Sequence, residues 1–366
     1  MALDTTTSLP PPTGRYVDAD SFPPQLKAFV HVSQQVKAGG LLRRARWYYA
    51  LLGIGLLAAF GGCVTGFILL RDSWFQLLIA AALGIVFTQI AFIGHEAGHR
   101  QVLSGGRANT RLARILSGIV GLSFSWWDSK HSRHHGNPNK VGQDPDIAVD
   151  TISFVPSDAA RARGVKRWIT KRQGWLFFPL LTLEGLNLHL KSFVHLFTAP
   201  KSAHRGIEIV LVVGRFAVLA TALFLLLPLG MAFAFLGVQI AVFGVYMGAS
   251  FAPNHKGMPV IAPNARLDFF TKQVRTSRNI RGGWWATFLF GGLNYQVEHH
   301  LFPSMARPHL AQARLIVKEH CRILDVPYTE TSLWRSYATV VQYLNRVGLA
   351  ARDPFECPLL TQRGTV

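Results

Sequence analysis

Four long apolar runs organise this chain. Residues 47–70 and 74–94 carry no charge, 209–229 carry only Arg215, and 231–252 carry none. Each approaches the roughly 20 residues an α-helix needs to cross a bilayer. A buried helix of a soluble core would account for one such run, and poorly for four. Only Arg71, Asp72 and Ser73 separate the first two runs, and only Gly230 the last two, so the runs pair into two hairpins. Two shorter apolar segments, 115–127 and 175–190, are expected to lie in the interface or dip into it. The second contains Pro179 and Glu184. A crossing by either alone would put the polar parts of the chain on opposite faces. Residues 304–349 alternate apolar and charged positions at helical spacing, which predicts two amphipathic helices over the membrane domain. Leu26–Val36 reads as a further amphipathic stretch. Residues 1–26 are polar and proline-rich, without the early apolar segment of a signal peptide. The expected organisation is an N-terminal tail and amphipathic segment (1–45), a membrane domain (46–303) and C-terminal helices and tail (304–366). The predicted class is an all-α integral membrane protein, four transmembrane helices in two hairpins under a helical cap.

Charge orients this scheme. The chain has 38 Lys+Arg against 19 Asp+Glu, a formal charge of +19, although 49% of its residues are hydrophobic. With Arg71 in a hairpin turn and Arg215 in a span, the remaining basic residues fall on one side. The positive-inside rule makes that side, and both termini, cytoplasmic. Anionic headgroups account for the excess charge, and no nucleic-acid-binding module is recognisable. Cys63, Cys321 and Cys357 are scattered and odd in number, which excludes a disulfide framework or a Cys-rich metal knuckle.

The candidate chemistry lies in the histidines. His95 and His99 (HEAGH) follow the second run and should continue its helix, where spacing i, i+4 places both rings on one face. His131, His134 and His135 form HSRHH, His255 follows the fourth run in APNHKG, and His299 and His300 close QVEHH. Crowded imidazoles disfavour one another's protonation, and neutral imidazole is a common metal ligand. Eight of them without clustered thiolates point to one or two borderline first-row metals such as Fe or Zn. His31, His189, His195, His204, His309 and His320 are expected to be ordinary surface or hydrogen-bonded residues. HEAGH is also a literal H-E-x-x-H, the zinc-protease pattern with Glu96 as general base. That reading leaves the other clusters unused. On the metal-cluster reading Glu96 instead orients a ligand histidine from outside, and Asp144 and Asp146 (GQDPDI) do the same or simply form a solvated turn. Gln296 stands where HSRHH has a histidine. It marks a spoiled site, an unrelated helix or a working variant.

HEAGH, HSRHH and QVEHH, in this order between apolar runs, resemble the three histidine boxes HxxxH, HxxHH and (H/Q)xxHH of the integral-membrane fatty acid desaturases. The resemblance covers about residues 45–310. It implies a non-haem di-iron centre held by His95, His99, His131, His134, His135, His255, His299 and His300 with Gln296. Glu96, Asp144, Asp146 and Asn254 would support that set. Gln in the third box, within LNYQVEHHLFP, is similar to the front-end branch, which inserts a double bond between an existing one and the carboxyl end. It implies O2 as co-substrate, a cis double bond made in an acyl-CoA or lipid-linked acyl chain, and membrane lipid as surroundings. A related lipid hydroxylase uses the same centre. No HPGG haem motif of a fused cytochrome b5 occurs, so electrons are expected from a separate donor, cytochrome b5-like or a ferredoxin with its reductase. Lys318, Arg322 and Arg335 are candidate contacts for an acidic donor. Arg215 and Gln239, polar within spans, and Trp126, Trp127, Trp284 and Trp285, just ahead of boxes two and three, are candidate substrate contacts. On this reading Gln296 is a working variant whose carbonyl replaces an imidazole.

Overall fold

A computed structural model describes residues 28–199 and 204–351. The tail 1–26, Leu26 itself and Cys357 lie outside them. The described residues are mostly helical, in agreement with the all-α class, with one pair of two-residue parallel strands. A short helix α1 (Ala28–Ala38) precedes the first hairpin, α2 (Arg46–Leu70) and α3 (Gln76–Gly98). Next come α4 (Gly106–Val120) and α5 (Phe124–Gly136), then α6 (Pro156–Ala160), α7 (Gly164–Thr170), α8 (Gln173–Leu181) and α9 (Glu184–Thr198). The second hairpin is α10 (Arg205–Leu226) and α11 (Leu229–His255). The cap continues with α12 (Phe269–Thr276), β1 (Asn279–Ile280), α13 (Gly283–Leu289), α14 (Gln296–Leu301), α15 (Leu310–Ile323), β2 (Glu330–Thr331) and α16 (Leu333–Leu349).

Among the described residues, four helices, α2, α3, α10 and α11, are long and apolar enough to cross a membrane. The ends of the second hairpin correct the sequence reading, and that of α3 agrees with it. The second hairpin turns at Leu227–Pro228, not at Gly230. Leu227 is extended because the residue before a proline is driven out of the helical region, and Pro228 then opens α11 with no N–H to satisfy. α3 runs on to Gly98, so box one occupies its last turns. α11 continues through Pro253, and His255 is its last helical residue instead of following the span. The carbonyl of Pro253 accepts from the Arg278 guanidinium and the Ser336 hydroxyl, which ties this end of α11 to the cap.

The segment 115–127 forms the tip of a helix pair. α4 lies along α3, with Leu116 and Ser117 beside Gly94, and the chain reverses at Gly121. Its φ of 89° is open to glycine at little cost, and a Cβ there would stand 3.0 Å from Phe216 and 3.1 Å from His189. α5 then returns with box two. Ser123 caps α5 by accepting from the Trp126 N–H. The Ser123 hydroxyl itself donates to Glu208 at the start of α10. Glu208 also accepts from the backbone and hydroxyl of Ser125 and from Arg114 at 3.2 Å. This buried carboxylate fixes the beginning of the box-two helix. The segment 175–190 becomes α8 and α9, with Pro179 inside α8. Phe177 and Leu181 pack with Ala252 of α11 and Val340, Leu344 and Val347 of α16. The predicted C-terminal pair is α15 and α16. α15 packs with α1 and α12 in a cluster that includes Val32, Val36, Phe270, Leu310 and Val317.

Candidate metal centre

Four helix ends deliver the clustered histidines to one place. The ends of α3 and α11 bring His95, His99 and His255, α5 brings box two, and the short α14 brings box three. The eight rings form two adjoining groups. His95, His99, His131, His135 and His299 make one, and His134, His255 and His300 the other, the ligand-type atoms of each group lying within 4.8 Å of one another. In the first, His131 Nε2 lies 3.0 Å from His95 Nε2 and 2.9 Å from His99 Nε2. In the second, His134 Nε2 and His255 Nε2 are 3.3 Å apart. His135 and His300 stack across the two groups, with ring centroids 4.2 Å apart. Five of the eight rings are buried and three half-buried.

Gln296 belongs to the second group. Its Nε2 is 2.8 Å from His255 Nε2, and its Oε1 accepts from Asn254 Nδ2 at 3.1 Å. A half-turn of the amide places the carbonyl oxygen where the nitrogen stands. Gln296 is buried, so it is neither a surface glutamine nor on an unrelated helix.

The outer nitrogens of the second group are fixed by acceptors. His134 Nδ1 lies 3.0 and 3.1 Å from the two oxygens of Asp144, and His255 Nδ1 lies 2.9 Å from the Thr276 carbonyl. His300 Nδ1 is 2.9 Å from Gln273 Oε1. Since each partner can only accept, each Nδ1 carries the proton and each Nε2 presents a lone pair inward. Asp144 also accepts from the backbone N–H of Asn139 and Asp146, so it is built into its loop. Asp146 lies 3.4 Å from His134 and 2.7 Å from Lys130.

Glu96 departs from the sequence expectation. Its oxygens accept from Arg307 Nε at 2.7 Å and Nη2 at 2.6 Å, and Oε1 also accepts from the Tyr49 hydroxyl. It faces away from the imidazoles and orients none of them. On the cap, Arg314 and Lys318 share the Glu330 carboxylate, exposed Arg322 pairs with Glu319, and the Arg335 backbone N–H donates to Ser332. Trp127 stacks on His131 with centroids 4.6 Å apart, and Trp126 lies near Lys130. Arg215 is held between Phe87 and Phe216 and donates to the Ile119 carbonyl. Gln239 is buried in α11. Of the histidines read as ordinary, His189 faces the Gly121 carbonyl, His195 lies 3.5 Å from Ser125, His31 stacks on His320, and neither His204 nor His309 joins the two groups.

The residues fit a metal. Buried ring nitrogens with no hydrogen-bond partner among the described residues include His95 Nδ1, both nitrogens of His135, His299 Nε2 and His300 Nε2. Such atoms are costly to bury unpaired, and a cation in each group would satisfy the one nitrogen that each ring turns toward it. Burial, reinforced by the neighbouring rings, drives the pKa values of His99, His131, His135, His299 and His300 well below the ordinary imidazole value, so all five stay neutral at pH 7. For His134 burial acts the same way, but Asp146 and Asp144 outweigh it and hold the pKa above the ordinary value.

A pH dependence follows. The five depressed rings take protons in the unfolded chain below about pH 6.5 but not in the folded one. Their stabilisation is complete above that pH and is lost as pH falls, by at most about 1.4 kcal/mol per ring per pH unit. His134 acts in the opposite direction and offsets one of them. Chelator-treated protein in detergent should therefore melt at progressively lower temperature between pH 7 and 5, and added metal should move that loss to lower pH. A flat profile would contradict the buried, neutral cluster.

Residues 72–332 match the sequence profile of the family described as Fatty acid desaturase. The chain is 30% identical over 322 residues to the Delta(8)-fatty-acid desaturase 2 of Arabidopsis thaliana, covering 83% of this chain and 70% of that protein. It is 30% identical over 339 residues to the Delta(8)-fatty-acid desaturase of Helianthus annuus, covering 88% and 73%. It is 25% identical over 336 residues to the Delta(6)-fatty-acid desaturase fat-3 of Caenorhabditis elegans, covering 88% and 75%.

Proposed function

The chain belongs to the fatty acid desaturase family, and from that premise we propose that it inserts a cis double bond into a fatty acyl chain, front-end fashion, using O2 and a non-haem di-iron centre. The family makes it an oxidoreductase acting on fatty acids. One observation carries the finer reading: eight imidazoles converge in two adjoining groups, with Gln296 against the smaller. The larger group would hold one iron, and His134, His255, His300 and Gln296 the other. Bound there, the irons would supply the O2-derived oxidising power that an unactivated methylene requires and that side-chain acids and bases cannot.

The chain's own residues prepare the site. Asp144, Thr276 and Gln273 hold three rings in the tautomer that aims Nε2 inward, and such partners typically tune metal affinity by about 10–100-fold. As the amides stand, Asn254 Nδ2 holds Gln296 Oε1; with the Gln296 carbonyl turned inward, Asn254 Oδ1, which has no partner among the described residues, would accept from Gln296 Nε2. Trp127 covers His131 and limits water at the larger group. Two reducing electrons come from a separate donor, cytochrome b5-like or a ferredoxin with its reductase. The histidine layer and both termini are assigned to the cytoplasmic side, on the distribution of Lys and Arg.

The zinc-protease reading loses its base, because Glu96 is engaged by Arg307 and Tyr49. Expression in a host fed defined fatty acids tests the proposal. The expected result is a new double bond on the carboxyl side of an existing one, with near two iron atoms per purified chain. A hydroxylated product, or zinc in place of iron, would overturn it. Gln296→Ala should lose most activity, and Gln296→His should bind metal yet differ in turnover. Full activity in Gln296→Ala would show that the amide has no part in the centre.

A further inference from the structure

The short helix α13, GWWATFL, leads into box three. Its outer face carries Trp284 (84% exposed), Trp285 (42%), Phe288 (50%) and Leu289 (38%). Hydrogen bonds fix its depth. Tyr246 Oη of α11 donates to the Leu289 carbonyl at 2.7 Å. Gln89 Nε2 of α3 donates to the Phe288 carbonyl at 3.2 Å and to Tyr246 Oη at 2.6 Å. Gln89 lies six residues before His95 and Tyr246 nine before His255, so these bonds sit about 9 and 13 Å along the two spans from the histidine layer. α3 and α11 are long and apolar enough to cross a membrane, and on that reading the carbonyls of α13 that these bonds hold lie at membrane depth. The carbonyls of Phe288 and Leu289 are satisfied by span side chains, as backbone at membrane depth must be.

The inner face of α13 leads to the metal centre. Ala286, Phe290 and Leu293 are buried with Phe92. Gly291, at φ 58°, lets the chain pass so close that a Cβ would stand 2.4 Å from the Phe92 ring. Phe92 packs edge-on to Tyr246 at 6.0 Å and against Phe251 at 6.4 Å, and Phe251 is 6.3 Å from the His95 ring. Packed side chains thus run from the buried face of α13, through Phe92 and Phe251, to His95 of the five-histidine group. Beside them, Gln89 Oε1 is buried with no partner among the described residues, an acceptor that a rearranged latch would satisfy.

We propose that α13 is a lateral portal. The acyl chain of a lipid resident in the bilayer reaches the histidine layer between α3, α11 and α13, and the Gln89–Tyr246 hydrogen bonds latch that path. The proposal rests on the desaturase reading and names the substrate as a bilayer-borne acyl lipid, not a thioester delivered from water. Iron-loaded full-length protein in vesicles of phosphatidylcholine carrying a diazirine within one acyl chain should be photolabelled in 283–292 and around Tyr246. Labelling confined to α2 and α10 would overturn the portal. Trp284→Asp puts a charge on the lipid-facing side and should raise the KM for phosphatidylcholine-bound acyl chains about tenfold, with that for added acyl-CoA unchanged. Equal effects on both substrates, or no effect on either, would also overturn it. A wild-type protein that desaturates neither substrate would defeat the desaturase reading, while the labelling result would still decide where lipid enters.

Discussion

His299→Ala should leave a folded protein with about one iron in place of two, and with desaturation reduced roughly a thousandfold or more, the scale expected when one member of a jointly acting set is removed. His299 lies inside the larger group, its ring 4.8 Å from those of His95 and His135 and 4.9 Å from His99. Its Nε2 has no hydrogen-bond partner among the described residues, so no structural bond is lost with the ring. Alanine leaves a small cavity in α14, whose other anchors remain. Glu298 accepts from Asn279 Nδ2 and from the Tyr328 hydroxyl, and Asn279 Oδ1 accepts from the Val297 N–H. Metal analysis beside the product profile checks this. Full iron content with full activity would remove His299 from the set. Gln273→Ala provides the scale, since it frees only the far nitrogen of His300 and should weaken metal binding by about 10–100-fold.

The convergence of the histidines was legible in sequence because they form local repeats. The i, i+4 and i, i+3, i+4 spacings each set rings on one face of a helix, and helix ends need little tertiary information to be placed. The four spans were legible for the same reason, through runs of apolar residues. What could not be read depends on long-range packing. Gln273 and Thr276 sit on an unremarkable amphipathic helix, and only the fold puts them behind His300 and His255. Asp144 was visible as a candidate because it follows box two closely, whereas nothing local tells that Arg307 reaches back 211 residues to Glu96. Glu208 carries a local signal too: a carboxylate directly ahead of an apolar run is expensive to bury unless paired, and it is paired with Arg114, Ser123 and Ser125. The second hairpin turns at Leu227–Pro228 and not at Gly230 because proline restricts its predecessor directly, whereas glycine only permits a turn.

Glu96→Gln should cost about 3–5 kcal/mol of stability, the range for breaking a buried ion pair from one side. Arg307 has no exposed side-chain surface and Glu96 almost none, and their two hydrogen bonds are short. A neutral amide leaves the guanidinium charged and uncompensated in the protein interior. The Tyr49 hydroxyl, which bonds both Glu96 and Gln101 and accepts from the Arg307 N–H, loses its anionic partner as well. Gln101 in turn donates to the Pro303 carbonyl, so the network joins α2 and the turn after box one to the chain leaving box three. Low yield and early thermal aggregation are therefore expected. The fraction that does fold should retain metal and measurable activity, because Glu96 touches none of the imidazoles. The paired change Glu96→Gln with Arg307→Met removes both charges and should recover much of the loss, since a buried pair can be replaced by neutral groups at little cost. A protein that keeps full stability and full metal in Glu96→Gln but loses all turnover would instead make Glu96 a participant in the chemistry, as the H-E-x-x-H pattern suggests.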